Sequence, residues 1–162
     1  MGHLDVRKYI YARQEPLFIH CNVEDEMGVF GKVAVRAVEI IQSGSVQDPK
    51  EAWEMGAMEF PRSESTRNKG CPKYSFLGLC EEGMVKGVPP GTYTRSKKNK
   101  QYAVSAIRLL AKSESLPTKA DLWTKISDTT HQGQLDVVYE LWQQDLIVDR
   151  AISHEEIDKS AL

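Results

Sequence analysis

Residues 33–41 read VAVRAVEII, and residues 102–110 read YAVSAIRLL. Three of these nine positions are identical and the apolar pattern matches throughout. Val33, Ala34, Ala37, Val38, Ile40 and Ile41 fall on one broad stripe at the helical period. Tyr102, Ala103, Ala106, Ile107, Leu109 and Leu110 do the same in the second stretch. Periodicity alone makes any two amphipathic helices alike, so the elements that follow carry more weight. A proline comes next in each case, Pro49 and Pro117, then a tryptophan, Trp53 and Trp123. Further on, LCEEGMV at 79–85 aligns with LWQQDLI at 141–147. Three elements in the same order, twice, predict an internal duplication. The loop before the third helix is longer in the first copy.

The signals between these anchors are consistent with six helices. Gly44 suits the left-handed turn that stops a helix after Gln42. Asp48-Pro49-Lys50-Glu51 supplies an acidic N-cap, proline at the first helical position and glutamate at the third. A polar loop through Pro61, Ser63, Ser65 and Asn68 follows. Pro72 opens the third helix, with Phe76, Leu77, Leu79 and Cys80 inward and Gly83 at its end. Ser96 or Asn99 caps the fourth, Thr118 starts the fifth, and Gly133 precedes the sixth, which holds Leu135, Val138, Tyr139, Leu141 and Trp142. Ser153-His154-Glu155-Glu156 reads as the capping box of a brief last helix. Between the two copies, Met84-Val85 and Thr92-Tyr93 flank Val88-Pro89-Pro90-Gly91, which suits a type II turn and predicts a short edge hairpin. Helix, helix, helix and hairpin is a winged-helix layout. The expected fold is therefore mainly α: two tandem three-helix, winged-helix-like units, 27–95 and 96–162, with a small β-hairpin after the third helix. Residues 1–26 show no helical period and form either added strands or an extended or disordered arm upstream of a start at Met27.

The block KGCPKYSFLGLCEEGMVKGVPPGTYTRSKKNKQYA, residues 69–103, resembles the signature of a bacterial family of small uncharacterised proteins. With the preceding helices the resemblance spans about residues 28–110. That family has no assigned activity or catalytic residues, so the likeness implies an uncharacterised domain and transfers no function.

Composition narrows the class. The chain is 41% hydrophobic and 27% charged, ordinary for a folded globular protein. Its start lacks the apolar core of a signal peptide, and no apolar run reaches the ~20 residues of a membrane helix. Cys21, Cys71 and Cys80 form no CxxC pair, which reads as reduced thiols in the cytoplasm. The net charge of −2 conceals a basic middle. Residues 62–101 carry nine basic and three acidic side chains, whereas 1–61 and 102–162 each carry six and ten. That middle is either a solvated face or a local anion-binding surface.

The candidate contact residues are Lys86, Tyr93, Arg95, Lys97, Lys98 and Lys100. Four of these cations precede or open a helix whose free N–H groups and dipole favour anions, and Tyr93 offers a ring for stacking. The spacing is not a Walker loop. Glu81, Glu82, Asp136, Glu140 and Asp145 on the third helices would repel phosphates, which argues against groove reading. Cys71, near a helix start beside Lys69 and Lys73, is the thiol to watch; Cys80 reads as core. No catalytic residue, cofactor or metal site is expected, since the cysteines and the histidines at 3, 20, 131 and 154 lack ligand spacing. Adjacent Glu81 and Glu82 point about 100° apart on a helix and make a poor acid/base pair. The leading expectation is a non-enzymatic module that binds nucleic acid or another polyanion. A protein-interaction or regulatory module is the alternative, and a small thiol-dependent enzyme centred on Cys71 is a weaker one.

Overall fold

The computed structural model describes residues 23–60 and 69–149, with side chains from residue 28 onward. Six helices make up the order: α1 (Val23–Gln42), α2 (Pro49–Met58), α3 (Gly70–Glu81), α4 (Lys97–Lys112), α5 (Lys119–Thr124) and α6 (Gln134–Gln143). The protein is mainly helical, and the described residues contain no strand. Most of the expected arm, the polar loop at 61–68 and the capping box at Ser153 lie outside the described residues. The last residues of the expected arm, 23–26, belong to the first turns of α1.

Local chemistry explains the helix ends. Asp48 accepts from the Lys50 N–H ahead of Pro49, Ser96 accepts from the Asn99 N–H, and Thr118 accepts from the Asp121 N–H. Each side-chain oxygen satisfies one of the donors that a first turn leaves open. The apolar stripes of α1 and α4 share four buried positions: Ala34, Ala37, Val38 and Ile41 in one, Ala103, Ala106, Ile107 and Leu110 in the other. Trp53 and Trp123 are both buried. The Trp53 ring lies 5.3 Å from Phe76, and Trp123 sits 5.0 Å from Tyr102 and 5.2 Å from His131.

One hydrophobic cluster joins both halves of the chain. The first helix of each half packs on the third helix of the other: α1 on α6, and α4 on α3. Both crossings are close. A Cβ on Gly31 would come within 2.7 Å of the Asp136 carbonyl oxygen, and one on Gly78 within 2.7 Å of the Lys100 Cα. Helices α3 and α6 meet each other between these crossings.

Their C-terminal turns have the same wiring. The N–H groups of Glu82, Gly83 and Met84 donate to the carbonyls of Gly78, Cys80 and Leu79. Those of Gln144, Asp145 and Leu146 donate to Glu140, Trp142 and Leu141, at the same offsets. Gly83 and Asp145 take the left-handed conformation at matching places, with φ of +71° and +59°.

Beyond these turns the hairpin expected over Met84–Tyr93 is absent, and with it the wing. Val85 instead forms an antiparallel bridge with Ile147, closed by Lys86 N–H to the Leu146 carbonyl and Val148 N–H to the Met84 carbonyl, both 2.8 Å. The reason lies in the donors. Pro89 and Pro90 have no N–H to give, and the Tyr93 and Thr94 N–H groups are taken by the Glu81 carboxylate. The strand-like residues therefore pair across the two halves rather than within one. No helix of the described residues is long and apolar enough to cross a membrane.

Candidate functional site

The basic stretch 86–100 runs from the end of α3, around a loop, into α4. Glu81 fixes its path. One carboxylate oxygen accepts from the Tyr93 and Thr94 N–H groups at 2.8 and 3.1 Å, and the other accepts from Lys100 Nζ at 2.7 Å. Lys100 also reaches Glu82 at 2.6 Å. The Lys100 ammonium, first of all, holds the Glu81 carboxyl below the usual glutamate range, assisted by the two backbone N–H groups. Glu81 and Glu82, read from sequence as groups that repel phosphate, are thus engaged with a cation.

The six candidate residues divide into two sets. Lys86 pairs with Asp145 at 3.3 Å, and its carbonyl accepts from Gln42. Tyr93 is half-buried, donates its hydroxyl to the Pro89 carbonyl at 2.7 Å, and has its phenol pKa raised by burial. Lys100 belongs to the glutamate pair. These three hold the loop together. Arg95, Lys97 and Lys98 form the second set: they are exposed and have no carboxylate partner among the described residues. Lys98 also lies beside the Tyr102 hydroxyl, whose pKa is lowered chiefly by its hydrogen bond with Ser127.

The first turn of α4 contains no acidic residue. Cations at the positive end of a helix dipole are unfavourably placed unless an anion joins them. Ser96 and Asn99 are tied to each other and, through the Asn99 side-chain oxygen, to Gln134 at 3.1 Å. That contact anchors the basic helix start to α6.

The two described cysteines differ in burial. Cys80 is fully buried, and desolvation raises its thiol pKa well above the ordinary value. Cys71 is half-buried in the first turn of α3. The lysines next to it in sequence point to other partners. Lys73 bonds Glu54 at 3.0 Å, and Lys69 lies 5.9 Å from the centre of the Phe30 ring. His131 is a structural cap: its Nε2 accepts from the Leu135 N–H at 2.9 Å, and burial lowers its pKa. Among the described residues no cluster of three or more His, Cys, Asp or Glu side chains could hold a metal ion.

Sequence reasoning missed one role at this site. Glu81 reads as a group that repels phosphate, yet it organises the loop; its position two residues before the glycine stop is the available signal.

A family model matches residues 27–148, about three quarters of the chain. The chain belongs to DUF6979, a family of unknown function. The region matched by the DUF6979 model includes the whole block 69–103 and extends beyond the 28–110 stretch in which the resemblance was read. It takes in all six helices apart from the first residues of α1. Comparison with curated proteins and with solved structures finds no match.

Proposed function

We propose that this protein is a non-enzymatic binding module that holds a polyanion, nucleic acid foremost, at the start of α4. The observation that carries this reading is the set Arg95, Lys97 and Lys98: three exposed cations without carboxylate partners, grouped at the positive end of a 16-residue helix. Lys86 stays in the proposal as a separate contact, because its ion pair with Asp145 is one that a phosphate replaces at little cost. Tyr93 and Lys100 act as supports for the loop, so stacking on Tyr93 drops out of the proposal.

Counterion release provides the test. Three engaged cations give a log–log salt slope of roughly −2 on single strands and near −3 on duplex DNA. Replacing Arg95, Lys97 and Lys98 together with Gln should remove that slope while the melting temperature stays put. No binding of either nucleic acid at low salt would dismiss the reading.

A second reading rests on Met55 and Met58, which are exposed and one turn apart on α2. Exposed methionines of this kind suit an adaptable protein contact. Co-purification of a partner that Met58→Glu abolishes would favour it.

We also infer that the chain is an internal duplication with units 27–95 and 96–162. Support comes from the matching burial of α1 and α4, the equivalent turns at Gly83 and Asp145, and the bridge between the aligned residues Val85 and Ile147. A cytoplasmic location fits the free thiols of Cys71 and Cys80.

A further inference from the structure

A cleft of about 270 Å³ opens between the end of α3 and the outer face of α4, lined by Glu82, Lys100, Gln101, Val104, Ser105 and Arg108. Its walls are chemically mixed. Arg108 offers donors and has no acceptor among the described residues; its Nε is covered and makes no hydrogen bond. Lys100 is occupied by Glu81 and Glu82, so Arg108 is the cation left to a ligand. Glu82 is exposed and offers acceptors. Gln101 and Ser105 can each donate and accept, and Val104 adds an apolar surface.

The cleft continues the basic start of α4 along one face. At 3.6 residues per turn, Lys97, Lys98, Gln101, Ser105 and Arg108 fall within an arc of roughly 100°. Gln101 follows Lys97 at the i,i+4 spacing of surface neighbours. Lys97 and Lys98 are exposed in the first turn of this helix. A nucleic-acid strand held on these cations therefore has the cleft beside it.

The lining decides which part of the strand enters. A phosphate would meet the like charge of Glu82, whereas a base is uncharged. Cytosine, adenine and guanine present ring or carbonyl acceptors to an arginine and an exocyclic amine to a carboxylate. Thymine and uracil have no such amine, and carbonyl oxygens flank their ring N–H. In a duplex these edges are taken up by pairing, so the base must be unpaired. The volume lies below the roughly 300–1,000 Å³ of sites for drug-sized ligands, which suits a single base.

We propose that the cleft receives one unpaired, amine-bearing base of a single strand whose phosphates lie on Arg95, Lys97 and Lys98. The pocket depends on the polyanion site proposed at the helix start, whose cations hold the backbone. Arg108 donates to the acceptors of the base, Glu82 accepts from its amine, and Val104 packs on the ring. The cations supply the salt dependence, and the cleft supplies the preference among bases. Strand binding without such a pocket is sequence-tolerant and favours flexible pyrimidine runs, so selection against thymine is the mark of the cleft.

Fluorescence anisotropy of the full chain with short labelled oligo-dC, oligo-dA, oligo-dT and a mixed-sequence duplex tests this. Oligo-dC, oligo-dA or both should bind about fivefold or more tightly than oligo-dT, the discrimination expected of one good base contact. Arg108→Gln and Glu82→Gln should each bring that preference close to one. Arg108→Gln should leave oligo-dT binding, duplex binding and the log–log salt slope as in the parent. Arg108 is half-buried, Glu82 is exposed and Lys100 retains Glu81 when Glu82 is changed, so both variants should melt close to the parent. Equal affinity for the three single strands, with both variants silent, would overturn the base pocket and leave the polyanion site standing. A salt slope flattened by about 0.7 in Arg108→Gln would place a phosphate on Arg108 and overturn the pocket as well. Failure of every nucleic acid to bind the parent at low salt would remove the polyanion site itself, and the pocket with it.

Discussion

At the scale of single residues, Glu81 has the greatest structural reach. Its carboxylate closes three hydrogen bonds on groups 12 to 19 positions away: the Tyr93 and Thr94 N–H groups and the Lys100 ammonium. Hydrogen bonds to charged groups contribute about 1.5–3 kcal/mol each at most, and partial exposure reduces that here. Glu81→Gln should therefore cost about 1–2 kcal/mol at neutral pH. The pH dependence has a definite sign. A carboxyl whose folded pKa is lowered stabilises the protein above its unfolded pKa, and that contribution is lost as pH falls through the folded value. For Glu81, whose ordinary value is 4.5, the parent loses this contribution below about pH 4.5 and Glu81→Gln does not. Denaturant melts at pH 7 and pH 3 should show the two stabilities converging in acid. Parallel curves would mean that the loop is held by something other than this carboxylate.

At the scale of elements, the close crossings and the paired turns govern the architecture. Alanine normally gains up to about 1 kcal/mol over glycine inside a helix. At Gly78 that gain is overridden, because the new Cβ would lie 2.7 Å from the Lys100 Cα, a backbone atom that cannot step aside. Gly78→Ala should cost roughly 1–3 kcal/mol through overpacking, and Gly31→Ala should behave alike against the Asp136 carbonyl. The turns predict the opposite sign. Asp145 holds φ at +59° in the place where α3 has Gly83, and left-handed backbone costs an L-residue about 1–2 kcal/mol, somewhat less for Asp. Asp145→Gly gives up only an exposed pair with Lys86, which is worth little. It should raise the midpoint of thermal unfolding by a few degrees, and a fall would show that the Lys86 pair matters more than the backbone strain.

At the scale of the whole molecule, the sequence was legible wherever the physics was local. Asp48, Ser96 and Thr118 act as the caps that their positions announce, and the stripes at 33–41 and 102–110 are the buried faces. What was illegible depended on distant partners. Met84-Val85 reads as the first strand of a hairpin until Leu146–Val148 arrives from the other half. The charges of Lys86 and Lys100 read as free until Asp145, Glu81 and Glu82 are placed beside them. The same long-range pairing has a consequence for folding. Because α1 packs on α6 and α4 on α3, each half separated from the other would expose the apolar stripe of its first helix. α1 would lose the covering of α6 in one piece, and α4 that of α3 in the other. A unit of about 70 residues with an open core rarely retains enough stability to fold alone. Expressed apart, residues 23–95 and 96–162 should each lack a cooperative thermal transition. Mixed in equal amounts, they should recover helicity and co-elute as a one-to-one complex. A sharp melt from either half alone would show that its three helices close their own core, and that the exchange of partners between the halves is not what holds the fold together.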